Sequence, residues 1–245
     1  MTGTIMSNNC FFISDLHLSS KNKPVTALYK HFIEHIAPTA QQLFIIGDFF
    51  EYWLGADIID PFQQSCLDQL QQLAQRGTQV YFIYGNRDFL ISKKTLARYS
   101  IQLLDDIHIH TFLHKKALIC HGDHLCTLDV KYQRYKKIAR NPTIQWLFLH
   151  STQKFRRQLA SKIHHKNPHT AQADNKNYKL ADATDKAIAK EISMHHPDLI
   201  IHGHTHRMGL HWHNQTLRIV LGDWHQYGNY LAWTEDGIKL NSFKL

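Results

Sequence analysis

Short apolar runs recur along the chain, and each stops at a polar turn. They are Cys10–Ile13 before Ser14-Asp15-Leu16-His17, Leu43–Ile46 before Gly47-Asp48, and Val80–Tyr84 before Gly85-Asn86. Three more are Ala117–Cys120 before His121-Gly122-Asp123, Leu199–Ile201 before His202-Gly203-His204, and Arg218–Leu221 before Gly222-Asp223. Runs this short, rich in Ile, Val, Phe and Tyr and without polar alternation, predict strands buried on both faces. Between them lie stretches with helical periodicity: Val25–Ile36, Phe62–Arg76 and Leu180–His195, the second closed by Gly77 in the C-terminal capping position and the third ending before Pro197. Strands alternating with helices predict a layered α/β fold, and no repeat divides the chain, so residues 1–245 read as a single domain. The polar stretch His164–Lys179 predicts a loop.

The chemistry gathers just past the predicted strand ends. Five strands deliver Asp15 and His17, Asp48, Asn86, His121, and His202 with His204: two carboxylates, one amide and four imidazoles, with no thiolate. Ligand sites of open α/β sheets collect outside the strand C-termini. Oxygen and imidazole donors suit Mn, Fe, Zn, Co or Ni. Seven donors exceed what one ion needs. If one carboxylate bridges, they suit two ions about 3.5–4 Å apart, the arrangement used for in-line phosphoryl displacement. Asp-x-His, Gly-Asp and Gly-Asn are each common as plain turns; the ordered set, one element after each strand, is what points to a site.

Composition sharpens the picture in one region. The chain carries 28 Lys and Arg against 20 Asp and Glu, a net +8. Ten of those basic residues (Lys131, Arg134, Lys136, Lys137, Arg140, Lys154, Arg156, Arg157, Lys162 and Lys166) fall within 130–166, where there is no Asp or Glu. The remainder holds 18 basic against 20 acidic residues, net −2. The same stretch carries Ile144, Trp146, Leu147, Phe148 and Leu149, then Phe155, Leu159 and Ile163 at helical spacing. A basic amphipathic helical pair suits an anionic lipid surface or a phosphate-bearing partner, and a solvated helix face over a core stripe is the plainer alternative. No apolar run approaches the ~20 residues of a membrane span, and MTGTIMSNN lacks the basic start of a secretory signal. Cys10 and Cys120 lie in apolar runs, where reduced buried thiols are expected of an intracellular protein.

The blocks Asp15-Leu16-His17, Gly47-Asp48, Gly85-Asn86-Arg87-Asp88, His121-Gly122-Asp123 and His202-Gly203-His204-Thr205-His206 resemble, in order, those of the calcineurin-like dinuclear metallophosphoesterases. The stretches FFISDLHLS, LFIIGDFFEYWLG, VYFIYGNRDFL, ICHGDHLCTLD and LIIHGHTHR are similar to the UDP-2,3-diacylglucosamine hydrolase family, the pyrophosphatases of lipid A biosynthesis. That family has Arg in place of the superfamily's third-block His, as here at Arg87. The resemblance implies a four-layered α/β sandwich, a metal-dependent hydrolase, and an inserted helical lid at about 127–180, where the basic segment lies. It implies two divalent ions, Mn2+ foremost. Asp15, His17, Asp48 and His204 would hold one, and Asp48, Asn86, His121 and His202 the other. The last block reads in two registers, which makes His206 a rival ligand. Asn86, Arg87, Asp129 and His202 would contact substrate, joined by Asn167 and Lys176 of the polar loop, where the family's Ser/Asn pattern is not reproduced.

The implied substrate is an acylated UDP-sugar, split at its diphosphate by an activated water to give UMP and 2,3-diacylglucosamine 1-phosphate (lipid X). Arg87 fits that chemistry. A phosphate leaving group needs little protonation, and a guanidinium cannot donate its proton but can grip phosphate oxygens. Asp88 reads as a support for the turn. The lid's apolar residues would line an acyl groove, Tyr132 and Tyr135 would wall the site, and the basic face would meet the cytoplasmic side of the bacterial inner membrane peripherally. No nucleic acid and no obligate protein partner are expected. Two alternatives stand beside this reading: a dinuclear-metal phosphodiesterase acting on nucleotides or nucleic acid, and a non-catalytic membrane-associated adaptor.

Overall fold

The computed structural model describes residues 9–166 and 182–245, with the backbone alone for 163–166. Asn167 and Lys176 lie outside the described residues. The buried runs form strands as expected: β1 (Cys10–Ile13), β2 (Gln42–Ile46), β3 (Gln79–Ile83), β6 (Lys115–Cys120), β7 (Leu199–His202) and β9 (Thr216–Val220). Five further strands come from sequence without continuous apolar runs: β4 (Ile101–Leu103), β5 (Ile107–Phe112), β8 (Gly209–His213), β10 (Gly228–Thr234) and β11 (Gly237–Phe243).

Two mixed sheets result. One runs β11-β10-β1-β2-β3-β4, parallel from β1 to β4, and the other runs β5-β6-β7-β9-β8, parallel across β6, β7 and β9. Alternation along each central strand feeds two cores. In β1, Cys10 and Phe12 point into the core between the sheets, where they meet Ala117, Ile119, Leu199 and Ile201 of the other sheet. Phe11 and Ile13 point the opposite way, onto α1 (Lys23–His31), α2 (Pro61–Gln75) and α3 (Lys93–Arg98). On the far side, Leu118, Cys120 and Ile200 receive Ala187 and Ile188 of α7 (Asp185–His195). Helices, sheet, sheet and helix make the four-layered sandwich.

Local signals set the helix ends. Asp60 and Gln63 form a reciprocal capping box at the start of α2, and Gly77, at φ +109°, lets the chain turn after it. The stretch predicted as one helix to Ile36 is α-helical only to His31. Its hydrogen bonds then widen into a π segment over Phe32–Ile36, followed by a 3-10 turn. The helix predicted from Leu180 starts later, because the Thr184 side chain caps it by accepting from the Ala187 N–H.

Between β6 and α7 the described residues form three helices where two were expected: α4 (Val130–Ala139), α5 (Pro142–His150) and α6 (Gln153–Lys166). α6 therefore runs into the first three residues of the predicted loop. Their basic residues are not all on a solvated face. Lys136 pairs with Asp123, and Arg140 with Asp106. Arg156, 1% exposed, forks onto Asp57 and the Leu54 carbonyl. Lys131, Arg134, Lys137, Lys154, Arg157 and Lys162 are exposed.

Candidate active site

The turns after β1, β2, β3, β6 and β7 converge at one end of the two sheets. Asp15, Asp48 and His121 bring ligand atoms within 4.8 Å of one another, and so do Asp15, His17 and His206. Asn86 completes the group, with Oδ1 at 3.1 Å from both His121 Nε2 and His204 Nδ1. The turns are tight. A Cβ on Gly85 would stand 2.1 Å from Asp48 Oδ1, and one on Gly203 would stand 2.3 Å from Asp15 Oδ2, so only glycine admits these carboxylates. Ten non-glycine residues among those described have positive φ, and five are Asp15, His17, Asp48, His204 and His206. Backbone held in this sparsely populated region concentrates at functional sites.

The histidines are aimed. His121 Nδ1–H donates to the Ile46 carbonyl at 2.9 Å, which leaves the Nε2 lone pair facing Asn86 Oδ1 and, at 3.8 Å, Asp48 Oδ2. His17 turns Nδ1 to Glu51 at 3.5 Å and Nε2 to Asp48 at 3.9 Å. His206 turns Nδ1 to Asp223 at 3.5 Å and Nε2 to Asp15 at 3.3 Å. A ring nitrogen on a carboxylate or carbonyl, with the other pointed at a shared centre, is how metal-binding imidazoles are oriented. Asn86 Oδ1, Asp48 Oδ2 and His121 Nε2 converge on one place, and this oxygen-and-imidazole donor set suits a divalent ion.

Electrostatics agree. Burial pushes the Asp48 carboxyl up to about 6, with the charge of Asp15 adding to it, and pushes Asp88 up to about 7, with Asp48 adding. Burial also acts against ionised Asp15, but His206, His121 and His17 hold it below the usual carboxylate range. Burial lowers His17 to about 4 and His204 to about 3, so both present neutral lone pairs at pH 7. The carboxylates around them draw His121 and His206 the other way, towards the charged form, so the pocket is anionic and favours the positive charge that a bound cation supplies.

One expected residue is elsewhere. His202 is fully buried, but its Nδ1–H donates to the Gly203 carbonyl and its Nε2 accepts from Arg218 at 3.3 Å. With both nitrogens engaged it offers no lone pair, and it backs the Gly122 turn instead of facing the cluster. His206 takes the place beside Asp15 and His17, and His204 joins Asn86 and His121. The ring pairs His17–His206 and His121–His204, with centroids 5.6 and 5.0 Å apart, occupy the two sides. Asp129 stands at the start of α4, where its Oδ1 caps the helix by accepting from the Tyr132 N–H. Asp88 supports the turn as expected, accepting from Gly85 N–H and Phe49 N–H.

Sequence reasoning missed Glu51, which meets both His17 and, at 3.3 Å, Arg87. It also missed Asp123, which accepts from Tyr132 Oη at 2.6 Å and Lys136 Nζ at 2.9 Å and so ties α4 to the His121 turn. Asp223 was visible as the Gly-Asp after β9 but had no assigned role. Against the cluster opens an apolar cavity of about 230 Å³. Asn86 and Arg87 stand in its wall, and Phe89, Leu90, Ile144, Phe148 and Leu159 line it, with Tyr135 at the side. Of the residues expected to form a groove, Trp146, Leu147 and Phe155 point outward. The Tyr132 ring lies 5.7 Å from that of His204, so both predicted tyrosines flank the site.

A family model for calcineurin-like phosphoesterases matches residues 10–208. A UDP-2,3-diacylglucosamine hydrolase of Coxiella burnetii is 39% identical over 241 residues, covering 96% of this chain and 97% of its own. One from Haemophilus influenzae is 39% identical over 228 residues (93% and 95%), and one from Histophilus somni 37% over 230 (94% and 97%). Among solved structures, an archaeal phosphodiesterase superposes with a TM-score of 0.51 at 12% identity, covering 97% of this chain and 99% of that one, a likeness of fold alone.

Proposed function

Because the chain belongs to the calcineurin-like phosphoesterases, and within them to the UDP-2,3-diacylglucosamine hydrolases, we propose that it splits the diphosphate of UDP-2,3-diacylglucosamine in lipid A biosynthesis. Water adds to one phosphorus, the P–O–P bond breaks, and the bridging oxygen leaves with the other phosphate, giving UMP and 2,3-diacylglucosamine 1-phosphate. The observation that carries this reading is the apolar cavity set directly against the Asp-His cluster, with Arg87 in the wall they share. A hydrolase of small polar esters has no use for it.

In this reading one ion is held by Asp15, His17, Asp48 and His206, and the other by Asp48, Asn86, His121 and His204. When bound, a pair of divalent ions, here Mn2+, supplies a low-pKa water and neutralises phosphoryl charge. Arg87, steadied by Glu51, grips phosphate oxygens; it donates no proton, and the phosphate leaving group needs none. Helices α4 to α6 act as a lid over the cavity, within the insertion at about 127–180 of one domain, with Tyr135 at the side of the cavity and Tyr132 against His204. The decisive experiment is a Mn-supplemented assay on UDP-2,3-diacylglucosamine beside single-stranded DNA, with products identified by mass. UMP from the glycolipid is expected. Turnover of DNA and not of the glycolipid would sink the reading, and less than about one metal ion per chain with no Mn-stimulated activity would point to an adaptor.

The outward lid residues suggest where the substrate is met. Trp146 and Leu147 are 57% and 58% exposed on a helix without Lys, Arg, Asp or Glu, beside the exposed cations of α4 and α6. Among the described residues no helix is long and apolar enough to cross a membrane. Peripheral attachment to an anionic membrane surface fits this arrangement, since each large apolar side chain buried in lipid contributes roughly 1.5–3 kcal/mol. Trp146→Glu with Leu147→Glu is expected to cut co-sedimentation with phosphatidylglycerol vesicles at least tenfold while leaving hydrolysis of detergent-dispersed substrate unchanged. Undiminished co-sedimentation would exclude this face.

A further inference from the structure

The inserted segment meets the turns of the metal cluster through a side chain that has no part in the phosphoryl chemistry. Arg140 closes the C-terminal end of α4, and its side chain is 17% exposed. Nη2 donates to the Gly85 carbonyl at 3.1 Å and lies 3.9 Å from Asp123 Oδ2. Nη1 donates to the Asp106 carboxylate, and the guanidinium carbon stands 5.7 Å from the centre of the Phe89 ring. Gly85 opens the turn that carries Asn86 and Arg87, and Asp123 belongs to the turn that starts at His121. Asn86 Oδ1 and His121 Nε2, 3.1 Å apart, are therefore delivered by two turns that one guanidinium bridges.

The contact with Gly85 is the sharper of the two. Its carbonyl belongs to the peptide plane that ends at the Asn86 nitrogen, so holding that oxygen holds the direction in which Asn86 leaves the turn. The planes on either side are fixed by the sandwich itself: Gly85 N–H donates to Asp88 Oδ1 and Arg87 N–H to Asp48 Oδ1, both at 2.9 Å. Glycine, without a Cβ, leaves the plane between them free to rotate unless something grips it. We propose that Arg140 is a positioning residue for the metal centre: its hydrogen bond to the Gly85 carbonyl sets the aim of the Asn86 side chain. Seating the insertion on the sandwich then completes the site for one ion. This rests on Asn86 and His121 holding an ion together. The pair with Asp106 plays the lesser part, because that carboxylate is 52% exposed and ion pairs in such places contribute little.

The test titrates the metal-free, full-length wild type, Arg140→Met and Asp106→Asn with Mn2+ by calorimetry. Methionine keeps an apolar cover over Phe89 and removes the donor. Partners that orient a metal ligand change metal affinity by about 10–100-fold, so one Mn2+ dissociation constant should rise about tenfold or more in Arg140→Met. In Asp106→Asn it should stay within about twofold of wild type. Arg140→Lys, which keeps a donor of similar reach, should recover most of the affinity. Circular dichroism checks folding. If Arg140→Met does not fold, Arg140→Gln, whose shorter side chain stops short of the carbonyl, replaces it with the same expectation. A folded variant lacking the donor that binds Mn2+ as wild type does would overturn the proposal. So would an equal loss in Asp106→Asn, which would put the effect in the ion pair. A wild type that binds no Mn2+ would sink the ligand assignment first and the proposal with it, a failure visible before any variant is made.

Discussion

Alanine at His206 is expected to lower turnover of the glycolipid at least about a hundredfold and to reduce bound metal, whereas alanine at His202 should leave metal content intact. Loss of outer partners that merely orient metal ligands costs 10–100-fold, so removal of a ligand should exceed that range. His206 offers Nε2 to the centre shared with Asp15, 3.3 Å away, and is held from behind by Asp223. The attraction of Asp15 outweighs burial and raises the His206 pKa to about 9, so this imidazole sits in a strongly anionic pocket that a cation would also occupy. His202 instead closes a hydrogen bond with Arg218. Deleting it leaves a buried guanidinium short of an acceptor, a stability loss of about 1–3 kcal/mol. At about 2–4 °C per kcal/mol for a chain of this length, the melting temperature should fall while the metal count holds. The measurements are kcat/KM with Mn2+, metal per chain and melting temperature for both variants. Metal lost from His202→Ala and kept by His206→Ala would reverse the assignment. His121→Ala should behave like His206→Ala, because Asn86 and Asp48 both converge on its Nε2.

The same pair of residues shows where the sequence could be read and where it could not. Central strands buried on both faces are continuous apolar runs, so β1, β2, β3, β6, β7 and β9 were legible within a residue or two, and with them the turns carrying Asp15, Asp48, Asn86 and His121. Strands with one face partly open, such as Ile107-His-Ile-His in β5 or Gly-Asn-Tyr-Leu-Ala-Trp in β10, alternate and lack that signal. In the last block Gly-His-x-His can be read directly as Gly203-His204-Thr205-His206. The register starting at His202 fails because Ile201 is the last inward residue of β7 before the turn, and His202 still belongs to the strand. Its side chain points to Arg218 on the neighbouring strand, in the direction that period-two alternation dictates. Glu51 and Asp123 were invisible for a different reason. Each acts by pairing with residues distant in sequence, Arg87 with Glu51 and Lys136 with Asp123, and only the fold supplies those partners. Charge counting likewise saw ten cations in the insertion but not that Arg156 is an internal strut filling the space over Gly55.

An aspartate at Phe148 together with one at Leu159 is expected to lower kcat/KM for the diacylated substrate by about a hundredfold or more, while hydrolysis of a small soluble phosphodiester such as bis-p-nitrophenyl phosphate stays near wild type. Both side chains, on α5 and α6, line the cavity together with Phe89 and Leu90. Each methylene that an acyl chain buries there contributes about 0.8 kcal/mol, so four methylenes displaced by charged, hydrated side chains amount to roughly 3 kcal/mol, or about two powers of ten. Neither residue touches the metal cluster, so chemistry on a substrate without acyl chains has no reason to change. The comparison separates a groove from a core. If these residues only packed the insertion together, the variant would melt lower and lose both activities in parallel. If they receive substrate, the two activities part, and melting followed by circular dichroism tells the cases apart. Parallel loss of both activities in a folded protein, or retention of both, would mean that the acyl chains lie elsewhere. The cavity beside Arg87 would then no longer support a lipid diphosphate over any other phosphodiester.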